Sequence, residues 1–273
     1  MVAGDGGGSV AARRLFMLRY GTERVPKSLS VLGAGDHPIV TPIFGAVVET
    51  DDGLVLLDTG IGRRALDDPA ALTAIYGAGL HPDGPAGDPL AVALATVGFT
   101  VADVALAAVS HLHLDHTGGV PLLAAAGVPV AVHAAELGYG RRRAAAGTEQ
   151  QVAFYRADYT DPAIRWVELD GDAELVSGVR VLATPGHTPG HLSFEVDLPA
   201  TGTWIFAADA ADLAENVLER VPCGSVAEPA DAVRARVSIG RLVDEAERRD
   251  ARLVPGHDPV LWRAAWHPPG GHR

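Results

Sequence analysis

The sequence predicts an α/β fold built as one domain over residues 13–273, and three observations carry that reading. Apolar runs of strand length alternate with helical segments through residue 132, in the order strand, polar cluster, helix, strand. From Ile164 to Ala208 the pattern turns to successive strands joined by Gly, Asp and Pro turns. Side chains able to ligate a metal stand at the ends of these runs from Asp58 to His257, so a cut anywhere between them would split one site. With 273 residues, 48% of them hydrophobic, the chain can bury a sizeable core.

Taken in order, Met1 to Ser9 is glycine-rich with no apolar core after a basic start, so it does not read as a signal peptide, and residues 1–12 are expected to be a flexible segment. Arg13 to Arg19 and Thr41 to Glu49 read as strands, and Asp51-Asp52-Gly53 is a hairpin turn into the strand Leu54 to Leu57. The non-periodic stretch Pro26 to Pro38 is a loop in which His37 reads as exposed. Ala70 to Tyr76 and Asp88 to Gly98 read as helices, separated by a loop from His81 to Gly87. Val104 to Val109 is a strand, Val120 to Ala126 a helix and Val128 to Val132 a strand. Ala134 to Tyr155 reads as two helices broken at Gly147. The strands Ile164 to Leu169, Ala173 to Val176, Val179 to Ala183, Leu192 to Val196 and Trp204 to Ala208 come next. Pro229 to Arg248 returns to helical periodicity with an apolar face of Ala232, Val233, Val237, Leu242 and Val243, and the strand Arg252 to Val254 delivers His257.

The chemistry concentrates in His111-Leu112-His113-Leu114-Asp115-His116. His111 and His113 are two apart, so in an extended segment they project to one side and can grip one cation. Asp115 and His116 come just ahead of Thr117-Gly118-Gly119, where the chain can turn and aim them at a second position. Imidazole with carboxylate and no thiolate suits an open, reactive site holding zinc, iron, cobalt, nickel or manganese. Thr184-Pro185-Gly186-His187-Thr188-Pro189-Gly190-His191, the run Trp204 to Ala208 ending in Asp209, and Pro255-Gly256-His257-Asp258 add further ligand types at strand ends.

With these motifs, the chain from about Leu15 to His257 resembles the metallo-β-lactamase superfamily, and within it the N-acyl-homoserine lactone lactonases. The resemblance implies an αββα sandwich, two mixed β-sheets packed face to face with helices outside. It puts His111, His113 and His187 on one divalent ion and Asp115, His116 and His257 on another, with Asp209 bridging them and zinc the foremost candidate. Asp58, in Val55-Leu56-Leu57-Asp58-Thr59-Gly60, and His191 would orient ligands from behind. Asp115 and Asp209 would be the catalytic carboxylates. The expected reaction is hydrolysis of a lactone ester, most simply that of an N-acyl-homoserine, by a hydroxide shared between the ions. The lactonases carry a tyrosine three residues after the bridging aspartate, where this chain has Asp212. An ionised carboxylate cannot donate to a developing oxyanion, so either Asp212 points elsewhere and the metal alone carries the oxyanion, or Tyr155 or Tyr159 brings a phenol to the substrate in its place, or the substrate is not a simple acyl-homoserine lactone; Tyr155, Tyr159 and Asp212 are the candidate substrate contacts.

A thioesterase of the glyoxalase II kind is the alternative within the superfamily, weakened because only a short tail comes after His257. A di-iron redox protein is the alternative from another class, and no additional flavin-binding domain is present to support it. A silent binding protein is disfavoured by the cost of keeping unpaired buried carboxylates and imidazoles. The net charge of −12 argues against nucleic acid, Arg141-Arg142-Arg143 reads as a solvated helix face, and no run reaches membrane-spanning length. The single cysteine, Cys223, excludes an intramolecular disulfide and reads as a loop residue of a cytoplasmic protein. The expected partner is a small-molecule lactone or ester, and a homodimer is compatible with the sequence.

Overall fold

Apolar side chains on both faces of a strand force it into the middle of a layered structure, and that is how the central strands of this chain are placed. The computed structural model describes residues 12–264, 268 and 270–273. The first sheet has the order β1 (Ala12–Pro26), β2 (Pro38–Thr50), β3 (Gly53–Leu57), β4 (Val104–Ala108), β5 (Pro129–His133), β6 (Arg165–Leu169). Its first two pairings are antiparallel and its last three parallel. The second sheet combines β7 (Ala173–Val176), β8 (Val179–Ala183), β9 (Leu192–Leu198), β10 (Gly202–Ala208) and β11 (Arg252–Pro255), antiparallel except where β11 lies parallel to β10.

The period-two alternation sorts the core into layers. Val48, Val55 and Leu57 from the first sheet meet Val181, Phe194, Val196, Trp204 and Phe206 from the second in one buried cluster. The opposite faces carry Val47, Leu54 and Leu56, packed with Leu72, Leu90, Leu94 and Leu137 of the outer helices. On the far side Ile205 and Ala207 pack with Ile239, Leu242 and Val243 of the helix Ala232–Arg249. Two mixed sheets face to face with helices outside is the αββα sandwich.

Most elements fall where the sequence puts them, with four differences. β1 begins at the buried Ala12, inside the segment expected to be flexible; the rest of that segment, residues 1–11, lies outside the described residues. β1 and β2 run on together until Pro26 pairs with Pro38, so the expected loop shrinks to a turn carrying the short helix Lys27–Ser30. Ala134–Ala146 is a helix ending at Gly147 in the left-handed region (φ 65°), but the second expected helix is only a 3-10 turn, Glu149–Val152. In the helix Ala232–Arg249 the buried face is Ala235, Ser238, Ile239, Leu242, Val243 and Ala246. Of the expected face, Leu242 and Val243 are buried, whereas Ala232 is exposed and Val233 and Val237 are 72% and 65% exposed, because the face that meets the sheet runs through Ile239, Leu242, Val243 and Ala246. No helix among the described residues is long and apolar enough to cross a membrane.

Candidate metal centre

Five strand ends converge on one edge of the sandwich. β3 ends at Asp58, β4 leads into Ser110-His111, β8 into the loop carrying His187, β10 into Asp209 and β11 into His257. Leu112 and Leu114 are fully buried and pin the loop between them, so His111 and His113 leave it toward the opposite side. A short helix, Leu114–Thr117, then turns Asp115 and His116 inward. Gly118 allows this turn by backbone contact: a Cβ there would lie 1.8 Å from the Gly62 nitrogen.

The side chains gather into groups whose donor atoms lie within 4.8 Å of one another: His111, His113, His187 and Asp209; Asp115, His116 and His257; and Asp209, Asp212 and His257. Asp209 faces both histidine sets, with Oδ2 3.2 Å from His187 Nε2 and Oδ1 3.1 Å from both His116 Nε2 and His257 Nε2.

Each ring is held so that one nitrogen faces inward. His116 Nδ1 donates to Asp58 Oδ2 at 2.9 Å, and Asp58 is itself fixed by the Ser110 backbone N–H at 2.7 Å and the Ser110 hydroxyl at 2.9 Å. His111 Nδ1 meets the same hydroxyl at 2.9 Å. His187 Nδ1 donates to the Ser225 carbonyl at 3.1 Å and His257 Nδ1 to the Pro42 carbonyl at 2.9 Å. With those protons committed outward, the Nε2 atoms offer lone pairs to the centre. His191 lies behind Asp209 and holds its backbone: Nε2 accepts the Asp209 N–H at 3.1 Å and Nδ1 donates to Thr184 Oγ1 at 2.8 Å.

Divalent cations fit this donor set. His111 Nε2 and His116 Nε2 are buried and face carboxylate oxygens of Asp209 at 3.7 and 3.1 Å without a hydrogen bond, an expensive juxtaposition of lone pairs unless a cation lies between them. Burial, reinforced by His187, pushes His113 down to about 3, which keeps its ring neutral and able to ligate. Burial pushes Asp115 and Asp209 up, but the surrounding imidazoles, His116 first and His257 with it, together outweigh burial and hold both carboxyls below the usual range.

A cavity of about 200 Å³ opens onto the centre, with Asp115, Asp209, His113 and His187 in its floor and Val25, Leu29 and Ile75 in an apolar wall. Tyr155 and Tyr159 do not reach it. Tyr155 donates to Asp68 Oδ2 at 3.2 Å and Tyr159, buried, to the Gly140 carbonyl at 3.3 Å, so the sequence-based expectation for both is corrected. The phenol that lines the cavity is Tyr76, which donates to Glu23 Oε2 at 3.2 Å. Asp212 lines it too, and accepts from the buried Cys223 thiol at 2.9 Å. Burial, with Asp209 next to it, pushes Asp212 up to about 6; burial, with Asp115 next to it, pushes Glu23 up to about 7. His37 is exposed and away from the cavity, and Arg143 pairs with Glu228.

Sequence reasoning missed Ser110, Glu23, Tyr76 and Glu136. Glu136 ties the two histidine loops together, accepting the Leu112 N–H on Oε1 at 3.0 Å and the Gly190 N–H on Oε2 at 2.9 Å. A serine directly before the first motif histidine is the only local signal for any of the four.

Comparison with known proteins agrees with this geometry. Residues 40–257 match the model of the metallo-beta-lactamase superfamily. The chain is 30% identical to N-acyl homoserine lactonase AttM of Azorhizobium caulinodans, covering 94% of this chain and 97% of that one. Its fold superposes with a TM-score of 0.83 on an N-acyl homoserine lactone hydrolase solved with N-hexanoyl-L-homoserine bound at its catalytic metal centre, at 24% identity over 96% of this chain and 100% of that one. It superposes at 0.65 on AidC, a dizinc quorum-quenching lactonase, at 20% identity over 90% and 87% of the two chains. With the histidine and aspartate clusters arranged as above, the chain belongs to the metallo-beta-lactamase superfamily.

Proposed function

We propose that this protein is a dinuclear metallohydrolase that opens the ester bond of a lactone, with N-acyl-homoserine lactones as its substrates. The observation that carries the reading is the pair of donor groups joined by Asp209 at the floor of a cavity with one apolar wall. In this reading His111, His113 and His187 hold one ion, Asp115, His116 and His257 the other, and Asp209 both. When bound, such ions lower the pKa of a water molecule and polarise a carbonyl oxygen. Zinc in a cytoplasmic enzyme is the finer assignment we favour, and residues 13–273 form its one domain.

The chain's own residues account for the rest of the reaction. Asp58 and His191 fix the ring of His116 and the backbone of Asp209, so the centre is organised before substrate arrives. Val25, Leu29 and Ile75 offer the acyl chain a surface from which water is displaced. Oxygen from water adds to the lactone carbonyl carbon, the ring C–O bond breaks, Asp115 passes one of the water's protons to the departing alkoxide, and the other is released to solvent as the new acid ionises, leaving a carboxylate and an alcohol. A pH-stat panel of acyl-homoserine lactones, simple γ- and δ-lactones and S-lactoylglutathione tests this. Preference for the lactones is the expected result, and faster turnover of the thioester would transfer the assignment to a glyoxalase II-like enzyme.

A further inference from the structure

Asp212 occupies a position that the lactonase comparison does not explain. Its carboxylate is 7% exposed, and no Lys or Arg lies within ion-pair distance of it among the described residues. Its place beside His257 is fixed by backbone: the His257 N–H donates to the Asp212 carbonyl and the Gly256 N–H to the Ala211 carbonyl, both at 2.8 Å. The side chain is fixed as well, since Cys223 Sγ donates to Oδ1. The residues after Cys223 are in turn held by the Gly224 and Ser225 N–H groups on the Leu29 carbonyl, at 2.9 and 3.0 Å. That loop also supplies the Ser225 carbonyl that orients His187, so one short segment sets a donor at each end of the centre.

We infer that Asp212 is an additional ligand of the ion held by Asp115, His116 and His257. Its donor oxygen lies within 4.8 Å of donors from both Asp209 and His257. The groups that face this buried carboxylate are the His257 and His187 imidazoles, with no Lys or Arg, and once those rings are neutral and ligating a divalent ion at this spot supplies the charge the carboxylate needs. The consequence is an asymmetric centre. One position has His111, His113, His187 and Asp209, three imidazoles and one carboxylate; the other would join two groups that overlap at His257, namely Asp115, His116 and His257 with Asp209, Asp212 and His257, making three carboxylates and two imidazoles. Oxygen-rich donor sets suit harder ions such as Mn²⁺, and nitrogen-rich sets suit Zn²⁺. The inference rests on the two-ion reading of the site and adds that its two positions differ in hardness, with Asp212 the cause.

Mn²⁺ and Zn²⁺ titrated separately into metal-stripped protein, with free Mn²⁺ read by electron paramagnetic resonance and Zn²⁺ by a competing chelator, test it. Asp212→Asn and Asp212→Ala, each checked for folding by circular dichroism before metal is added, are compared with the parent and with Glu23→Gln. Glu23→Gln removes a carboxylate of the same cavity from outside the donor groups. The expected result is a loss of Mn²⁺ affinity at the tighter position of at least about tenfold in both Asp212 variants, the scale on which metal sites respond to loss of a supporting group. Tight Zn²⁺ binding at the nitrogen-rich position is retained, and Glu23→Gln gives a smaller loss. Unchanged Mn²⁺ affinity in the Asp212 variants, or an equal loss in Glu23→Gln, would overturn the inference, the latter by reducing the effect to general charge. A parent that binds two Zn²⁺ but no Mn²⁺ overturns it while leaving the two-ion reading intact, and a parent that binds neither ion overturns both.

Discussion

Tyr76 and Glu23 meet at the wall of the cavity, the phenol donating to Glu23 Oε2 at 3.2 Å while Thr41 Oγ1 donates to the other carboxylate oxygen, also at 3.2 Å. Tyr76 comes from the end of the helix Pro69–Tyr76 and Glu23 from β1, so the pair closes a gap between the outer helices and the first sheet.

On the proposed lactonase reading, Tyr76 is the phenol that lines the cavity, where a substrate oxygen would compete with Glu23 for its proton. Replacing it by phenylalanine keeps the ring and removes the donor, and turnover of the best lactone is expected to fall about tenfold, roughly 1.4 kcal/mol in the transition state. Tyr155→Phe and Tyr159→Phe serve as comparisons, because neither residue lines the cavity and their hydroxyls bond Asp68 and the Gly140 carbonyl outside it. Steady-state kinetics in which Tyr155→Phe costs more than Tyr76→Phe would reverse this assignment.

Metal content gives the second expectation. Elemental analysis of active protein should find about two first-row divalent ions per chain. Asp209→Ala removes the carboxylate common to both histidine sets and should lose at least one ion with most of the activity, whereas His37→Ala, in an exposed turn, should lose none. Equal losses in the two variants would mean that the donor set is misassigned.

The group behind His116 gives the third. Asp58→Ala leaves Nδ1 of that ring and the Ser110 N–H without their acceptor, and a weakening of metal binding on the order of 10- to 100-fold is expected. Chelator competition measures it, and affinity equal to the parent's would show that ring orientation does not depend on Asp58.

Away from the centre, Asp158 makes a prediction about stability and pH. It is fully buried and Oδ1 has no hydrogen-bond partner among the described residues; burial, against weaker opposition from Arg64 and Thr117, pushes its carboxyl up to about 8. Above about pH 4 the unfolded chain has released this proton while the folded chain keeps it. Its contribution to stability therefore falls as pH rises toward 8 and changes little beyond. Asp158→Asn removes that slope. At pH 8 the variant should be more stable than the parent by about 1–3 kcal/mol, the cost of one buried unpaired group, with a smaller difference at pH 5. Denaturant midpoints at the two pH values check the sign, and a difference that grows toward acid would contradict it.

The parts legible in the sequence are those written locally. β3 and β10 are buried on both faces, so they read as unbroken apolar runs; the metal-ligating residues stand directly after strands, where spacing alone shows which side chains share a direction. The parts that are not legible depend on partners far along the chain. Glu136 acts on Leu112 and Gly190, and Glu23 meets Tyr76 across 53 residues, so nothing beside either marks its role. Valine is an uneven marker of burial in the helix Ala232–Arg249: Val243 packs on the sheet with Ile239 and Leu242, whereas Val233 and Val237 face solvent, and Ala235 and Ser238 lie instead against the loop at Pro185 and Gly186. Sequence neighbourhood sets Tyr155 and Tyr159 near the site, and only the chain's path shows that their hydroxyls turn away.

The Glu136 carboxylate has a kinetic consequence. Its two oxygens each hold the backbone of a different histidine loop, so moving either loop breaks one of its hydrogen bonds and leaves a buried carboxylate oxygen short of a partner. Both are released only when a charged group at 0% exposure gives up two hydrogen bonds at once, an event that belongs to local unfolding and not to loop fluctuation. On the proposed two-ion reading, bound ions are expected to exchange with solution slowly compared with turnover, and isotope-exchange rates are expected to track the opening of Glu136 more closely than the strength of any one metal–ligand bond.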